Sequence, residues 1–256
     1  MNRFLRKLRS GEVALGQMVL ELFTPGIGLM LAACDLDFVI YDMEHGRCDI
    51  SLVAEMLASC RGSGITPMAR VPDLENAPLS RILDLGAMGV MVPRVETRAQ
   101  MERIVAELKY PPQGKRGVAL GLAHDLYRAE GAPYFPKMNA ETAVIAIIET
   151  VKGFDNLEEI VSVPGLDVAW VGHYDLTISM GIPCQFDHPR FLEAMDRLAA
   201  TAAKYNIAAG FLPPTPAAAQ HWIQKGFRAI SLGSDVGVFL EGVRTFRNSV
   251  TNNFLS

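Results

Sequence analysis

Ala143-Val144-Ile145-Ala146-Ile147-Ile148-Glu149-Thr150 is the stretch on which the fold turns. Six apolar residues with no alternating polar partner read as a strand buried on both faces, the mark of a parallel sheet covered by helices. Working outward, seven further runs of similar character appear: Ala14–Leu20, Phe38–Met43, Thr66–Val71, Gly89–Val92, Asp167–Val171, Ile207–Leu212 and Arg228–Leu232. Helix-like segments lie between them. Thr24-Pro25 opens one, with Pro suited to the first helical position. Asp49 or Ser51 caps a second that runs to Gly62. Others span Ala77–Leu85 before Gly86, Thr97–Leu108, Asn156–Val161 and His188–Tyr205. Thr215-Pro216 opens another that stops at Gly226, and Val236–Val250 closes the series. Eight strands alternating with helices over 256 residues, without a linker-like segment, predict an α/β protein: a (β/α)8 TIM barrel in one domain, residues 1–256.

One stretch breaks the rhythm. Pro111–Glu141 holds Gly114, Gly117, Gly121, Gly131, Pro133 and Pro136. A long irregular segment in a compact domain is usually functional. Lying between the fourth and fifth strands, it is expected to cover the mouth of the barrel, or else to form a contact between subunits.

Composition narrows the partners. Half of the chain is hydrophobic and the formal net charge is -4, with acids and bases interspersed. No basic face is visible, which argues against nucleic acid, while a small anionic substrate is compatible. Cys34, Cys48, Cys60 and Cys184 form no CxxC pair and read as reduced thiols of an intracellular protein. The charged N-terminus is followed by no long apolar run, so no signal peptide is expected. No apolar stretch reaches the ~20 residues that span a membrane. The expected compartment is the cytoplasm.

A barrel of this kind carries its active site at the C-terminal ends of its strands. The second run ends in Asp42-Met43-Glu44-His45-Gly46, the third holds Arg70, the fifth ends in Glu149, and the sixth runs into Gly172-His173-Tyr174-Asp175. These endings deliver carboxylates, a histidine and an arginine to one mouth. A carboxylate beside the run at 145–148 needs compensation, because desolvating a charge is costly. A salt bridge would supply it. So would a hard divalent cation shared by Glu149 and Asp175, with water and substrate oxygens completing the shell. Alternatively, Asp175 caps a turn. Arg70 offers a fixed fork to a carboxylate or a developing oxyanion, or a core salt bridge to Asp42 or Glu44. His45 is placed for general acid–base work. Asp84, between Leu83 and Leu85, reads as a solvated helix position. Gly172–Thr177 resembles a strand-to-helix turn whose free N–H groups would receive an anion.

These motifs taken together resemble the class II pyruvate aldolases, the metal-dependent family of 4-hydroxy-2-oxoheptanedioate aldolase and 2-dehydro-3-deoxyglucarate aldolase. The resemblance rests on Asp42-Met-Glu-His45-Gly, Ala69-Arg70-Val-Pro, Leu85-Gly-Ala-Met-Gly-Val-Met-Val-Pro93, Tyr110-Pro-Pro-Gln-Gly-Lys-Arg-Gly117, Ile148-Glu149-Thr-Val-Lys-Gly153 and Gly172-His-Tyr-Asp175-Leu-Thr-Ile-Ser-Met-Gly181. It implies Mg²⁺, Mn²⁺ or Co²⁺ on Glu149 and Asp175, and Arg70 on the keto oxygen as it becomes an enolate. It implies His45, assisted by Asp84, as the acid/base. The turn from Gly172, with the backbone of Tyr174 and Asp175, would receive the pyruvate carboxylate, and Leu212 would line the aldehyde pocket. It also implies a homotrimer or homohexamer with exchanged C-terminal helices. Departures are Ile147, where relatives commonly carry Gln, and His173-Tyr174, where they carry Pro-Ala. Two rivals use the same residues otherwise. One is a 2-oxo acid decarboxylase or CoA-ester lyase, although no phosphate-binding glycine loop is present for a coenzyme. The other is a non-catalytic barrel that binds a keto acid.

Overall fold

The computed structural model describes residues 2–75 and 79–251. Eight parallel strands close into a barrel in sequence order: β1 (Ala14–Val19), β2 (Phe38–Asp42), β3 (Thr66–Arg70), β4 (Gly89–Val92), β5 (Ala143–Ile148), β6 (Val168–Val171), β7 (Ala208–Phe211) and β8 (Phe227–Ser234). Around and between them run α1 (Arg3–Arg9), α2 (Ile27–Ala33), α3 (Ile50–Ser59), α4 (Leu79–Asp84), α5 (Arg98–Leu108), α6 (Tyr134–Glu141), α7 (Val151–Asp155), α8 (Leu157–Val161), α9 (His173–Ser179), α10 (Pro189–Lys204), α11 (Pro216–Gln224) and α12 (Asp235–Thr251). The predicted barrel is the observed one. The predicted helix start at Ala77 lies outside the described residues.

Side chains alternate across each strand, and the two sets build two cores. The inward set fills the barrel with Met18, Ile40, Met68, Met91, Ile145, Ile147 and Trp170. The outward set packs under the helices. On α10, Phe191, Ala194, Met195, Leu198, Ala199 and Ala202 are buried at helical spacing. Truncating the fully buried Leu198 to Ala would cost roughly 2–5 kcal/mol. Local signals set the helix ends: Asp49 accepts from Ser51 and Leu52 N–H at the start of α3, and Thr97 with Gln100 forms a capping box on α5.

The floor of the barrel is sealed by α1, a helix without a counterpart among the sequence-predicted elements. Asn2 caps it, and Phe4 and Leu5 are buried with the inward set, the Phe4 ring lying 4.9 Å from that of Phe38. Buried Asp37 accepts from Lys7 Nζ at 2.9 Å and Leu15 N–H at 2.8 Å, and it pairs with Arg3 Nε at 2.6 Å.

Segment 111–141 lies at this floor end, which corrects the expectation that it covers the mouth. Helix α5 has already carried the chain back before Pro111, so the segment is a helix-to-strand connection and runs where strands begin. Nor is it irregular throughout, since it holds a 3₁₀ turn at Ala123–Asp125 and α6. Buried Lys109 donates to the carbonyls of Asn139 (2.7 Å) and Thr142 (2.6 Å) and staples α6 to the end of α5.

Among the described residues no helix is long and apolar enough to cross a membrane. All four cysteines are free; Cys48 and Cys60 are buried, Cys34 and Cys184 exposed. In the single chain α12 leaves Val238, Phe239, Val243, Phe246 and Val250 exposed.

Candidate active site

At the mouth the inward set continues one residue past the hydrophobic fill. Phe38 and Ile40 lead to Asp42, Met68 to Arg70, Ile145 and Ile147 to Glu149, and Trp170 to Gly172. The β2–β3 register pairs Asp42 with Arg70. Arg70 Nε donates to Asp42 Oδ1 at 2.8 Å and Nη2 to Oδ2 at 2.5 Å, a two-pronged fork. Its Nη1 lies 3.1 Å from Glu44 Oε2. That contact is close enough for an ion pair but is not aligned as a hydrogen bond, so this buried oxygen has no donor. Burial opposes the charge of Arg70, but Asp42, Glu44 and Glu149 outweigh it and hold the guanidinium above its ordinary pKa.

Glu149 is 4% exposed. Its Oε1 accepts from the backbone N–H of Arg94 at 2.7 Å, and Arg94 sits at φ 54° just past β4. Burial pushes the carboxyl up to about 7; the Arg94 N–H opposes the rise, while the charges of Glu44 and Asp175 add to it. The neighbouring strand makes room only because Gly172 has no side chain, since a Cβ there would stand 2.1 Å from Glu149 Oε2. Asp175 is in the first turn of α9, close enough to raise the Glu149 pKa, and no side chain caps that helix.

The structure thus brings Arg70, Glu149, Gly172 and Asp175 to one mouth, with Glu44 and Asp42. His45 stands at its rim, side chain 53% exposed and Nε2 3.8 Å from Glu44 Oε2. Leu212, after β7, is partly buried against the inward set. Tyr174 is exposed at the start of α9. His173 turns the other way, buried against Phe186 and Phe211 in the helix layer, so its bulk and polarity stay out of the mouth. Asp84 is not brought to His45 within one chain. It ends α4 near the floor, where Arg116 Nη2 donates to its Oδ1 at 2.6 Å.

The arrangement fits a divalent cation. Asp42, Glu44 and Glu149 surround the Arg70 guanidinium, Asp175 adds a further negative charge beside Glu149, and Glu149 has a single backbone donor. Such a deficit of positive charge suits a hard ion with oxygen ligands. Two carboxylates would leave positions on such an ion for substrate and water. Sequence reasoning weighed Glu44 and Asp42 only as partners of Arg70, and it missed the Arg94 N–H; a backbone donor leaves no trace in residue identity.

Residues 20–242 match the HpcH/HpaI aldolase/citrate lyase family. The chain is 31% identical over 238 residues to a 5-keto-4-deoxy-D-glucarate aldolase from Shigella boydii serotype 18 (strain CDC 3083-94 / BS512), covering 93% of this chain and 92% of that one. It superposes with a TM-score of 0.90 and 31% identity on an HpcH/HpaI aldolase/citrate lyase family protein from Burkholderia cenocepacia J2315, covering 98% of this chain and 100% of that one. An HpcH/HpaI aldolase from Desulfitobacterium hafniense DCB-2 also gives 0.90, with 28% identity, covering 98% and 96%.

Proposed function

Because the chain belongs to the HpcH/HpaI aldolase/citrate lyase family, we propose that this carbon–carbon lyase cleaves a 4-hydroxy-2-oxo acid reversibly into pyruvate, or a related 2-oxo acid, and an aldehyde. Glu149 and Asp175 would hold a divalent ion, Mg²⁺, Mn²⁺ or Co²⁺. The observation that carries this reading is the buried Glu149 carboxylate, short of donors, facing Asp175, Glu44 and the Arg70 guanidinium.

When bound, the ion supplies Lewis-acid polarisation of the keto oxygen. The protein does the rest. Arg70, locked by Asp42, presents a preorganised charge to the oxygen on which negative charge develops, and it needs no reorganisation at that moment. His45, on the exposed rim beside Glu44, takes the proton from the 4-hydroxyl as the C3–C4 bond breaks to aldehyde and enolate. A proton delivered to C3 of the enolate completes pyruvate; synthesis runs the same transfers backwards. The uncapped N–H groups after Gly172, at Tyr174 and Asp175, face the substrate carboxylate. Ile147 and Trp170 form a dry floor under the reacting carbons, and Leu212 borders the aldehyde end.

The exposed apolar face of α12 fits a homo-oligomer, a trimer or hexamer in which a second copy covers it. Asp84 would then meet His45 only across a contact between copies.

Pyruvate release from a panel of 4-hydroxy-2-oxo acids tests the reading. Stripping the metal with EDTA, or Glu149→Ala, should lower the rate by roughly a thousandfold, the several kcal/mol that metal polarisation supplies. Undiminished turnover without metal would overturn it.

A further inference from the structure

Past β4 the chain turns at Pro93-Arg94, and Arg94 sits at φ 54°, a left-handed conformation that glycine takes freely and most side chains avoid. The turn aims the Arg94 N–H at Glu149 Oε1, 2.7 Å away. That task needs only the backbone. The residue is exposed and, among the described residues, its guanidinium makes no hydrogen bond or ion pair. The other cations nearby are engaged. Arg70 is held by Asp42 beside Glu44, Lys152 pairs with Glu96 at 2.9 Å, and Arg47 lies over Phe23, 6.0 Å from the ring centre. The charge of Arg94 nevertheless acts inward. Burial raises the Glu44 carboxyl above its ordinary range, Asp42 adds to the rise, and Arg70, His45 and Arg94 oppose it. Glu44 follows β2 and Arg94 follows β4, with Arg70 on β3 between them. A charge felt at Glu44 from there stands over the mouth, not along the outer wall.

In the proposed chemistry the carbon that bears the 4-hydroxyl lies by His45, next to Glu44, and the rest of the aldehyde half extends from there toward the rim. Leu212 borders it from β7, and across the mouth, after β4, stands an arginine with no acid of its own. We propose that Arg94 determines specificity: its guanidinium receives a terminal carboxylate on the aldehyde half of the substrate. Bound to nothing within the chain, the guanidinium keeps both prongs of its fork for the ligand. Without it, a second substrate carboxylate would meet the charges of Asp42, Glu44, Glu149 and Asp175 uncompensated. A neutral aldehyde gains nothing from Arg94, and the discrimination lies in that difference. A phosphate would bring about twice the negative charge into the same mouth and suits it less. Arg94 takes this part only if the substrate lies as the aldolase reading places it.

Calorimetric titration of the Mg²⁺-loaded enzyme tests it, with 2-oxo dicarboxylates of five, six and seven carbons, each against the 2-oxo monocarboxylate of the same length. None of these ligands carries a 4-hydroxyl, so none is cleaved, and binding is read apart from turnover. At one length at least, the dicarboxylate should bind roughly tenfold more tightly, the worth of one charge-assisted contact. Arg94→Gly keeps the N–H on Glu149 and accepts φ 54° without strain, and it should bring the paired ligands within about threefold of each other. Arg94→Asn, neutral and tolerated at positive φ, is the second variant should Arg94→Gly fail to fold by near-ultraviolet circular dichroism. Equal binding of the paired ligands at every length, or a preference that survives in a folded Arg94→Gly or Arg94→Asn, would overturn the role of Arg94. If no 2-oxo acid binds, the placement of the substrate fails and the role falls with it. A preference that depends on Arg94 in an enzyme that releases pyruvate from no 4-hydroxy-2-oxo acid would uphold the role and count against the aldolase chemistry alone.

Discussion

At the floor of the barrel Asp37 is met by Arg3, Lys7 and the Leu15 N–H, whereas at the mouth Asp42, Glu44 and Glu149 share the Arg70 guanidinium and the N–H groups of Glu44 and Arg94, with Asp175 a further negative charge beside Glu149. The same eight strands supply both ends. Around Asp37 the charge is matched inside the chain, and the match holds α1 in place. The mouth is left with carboxylates in excess, a state that costs stability and makes sense only if something else completes it. The contrast separates the parts of the molecule that hold it together from the parts that act.

The contrast can be broken at the mouth first. Arg70→Lys keeps the charge but loses the fork, and it should lower kcat for retro-aldol cleavage by roughly 10²–10³-fold; a near-normal rate would remove Arg70 from its role. Gly172→Ala pushes a methyl against Glu149 Oε2 at 2.1 Å and Glu149 Cβ at 2.7 Å, and should cost about 10²-fold in rate through misplacement together with some thermal stability. An active Gly172→Ala would mean that Glu149 need not stay where it is seen. At the floor the effect should fall on folding instead. Asp37→Asn removes the buried charge that Arg3 and Lys7 share, leaving Lys7 without its carboxylate while Arg3 keeps Asp35, and should cost about 3 kcal/mol in denaturant unfolding, with kcat of the folded enzyme preserved. A catalytic defect there would blur the division between the ends.

The smallest effect is a pH slope. Burial raises the Asp167 carboxyl, near the floor at the start of β6, above the ordinary carboxylate range. The folded state therefore holds this proton more tightly than the unfolded chain. Its contribution is present at low pH and is lost as pH rises through the folded value. Asp167→Asn keeps an acceptor for the Val144 N–H and should flatten the fall in melting temperature over that window. An unchanged profile would place the slope elsewhere.

Legibility in the sequence divides along the same line. The run Ala143–Ile148 is β5 to the residue, because a strand buried on both faces tolerates few polar side chains. Thr97 and Thr215 marked their helix starts because a cap needs a side-chain oxygen at one position. Glu149 and Arg70 could be found because strand ends point at the mouth. Counting strands alone puts segment 111–141 at the wrong end, because it ignores that α5 has already reversed the chain. Asp84 could not be paired from its letter, since one turn of α4 decides which end it faces. The Arg94 N–H depends on a positive φ that no residue type announced.

Asp235 carries one more consequence. Its buried carboxylate accepts the N–H groups of Leu20, Glu21 and Leu22, at 2.9, 3.0 and 2.6 Å, and β1 pairs along β8. The loop that leaves the first strand is thus tied by a residue made more than two hundred positions later. A chain emerging from the ribosome has synthesised all the carboxylates of the mouth by residue 175, yet it cannot close the ring around them until the last strand and the first turn of α12 arrive. Contacts of such sequence separation are slow to form, so a nascent chain halted before Asp235 carries an open, edge-exposed sheet, the species most in need of protection from aggregation.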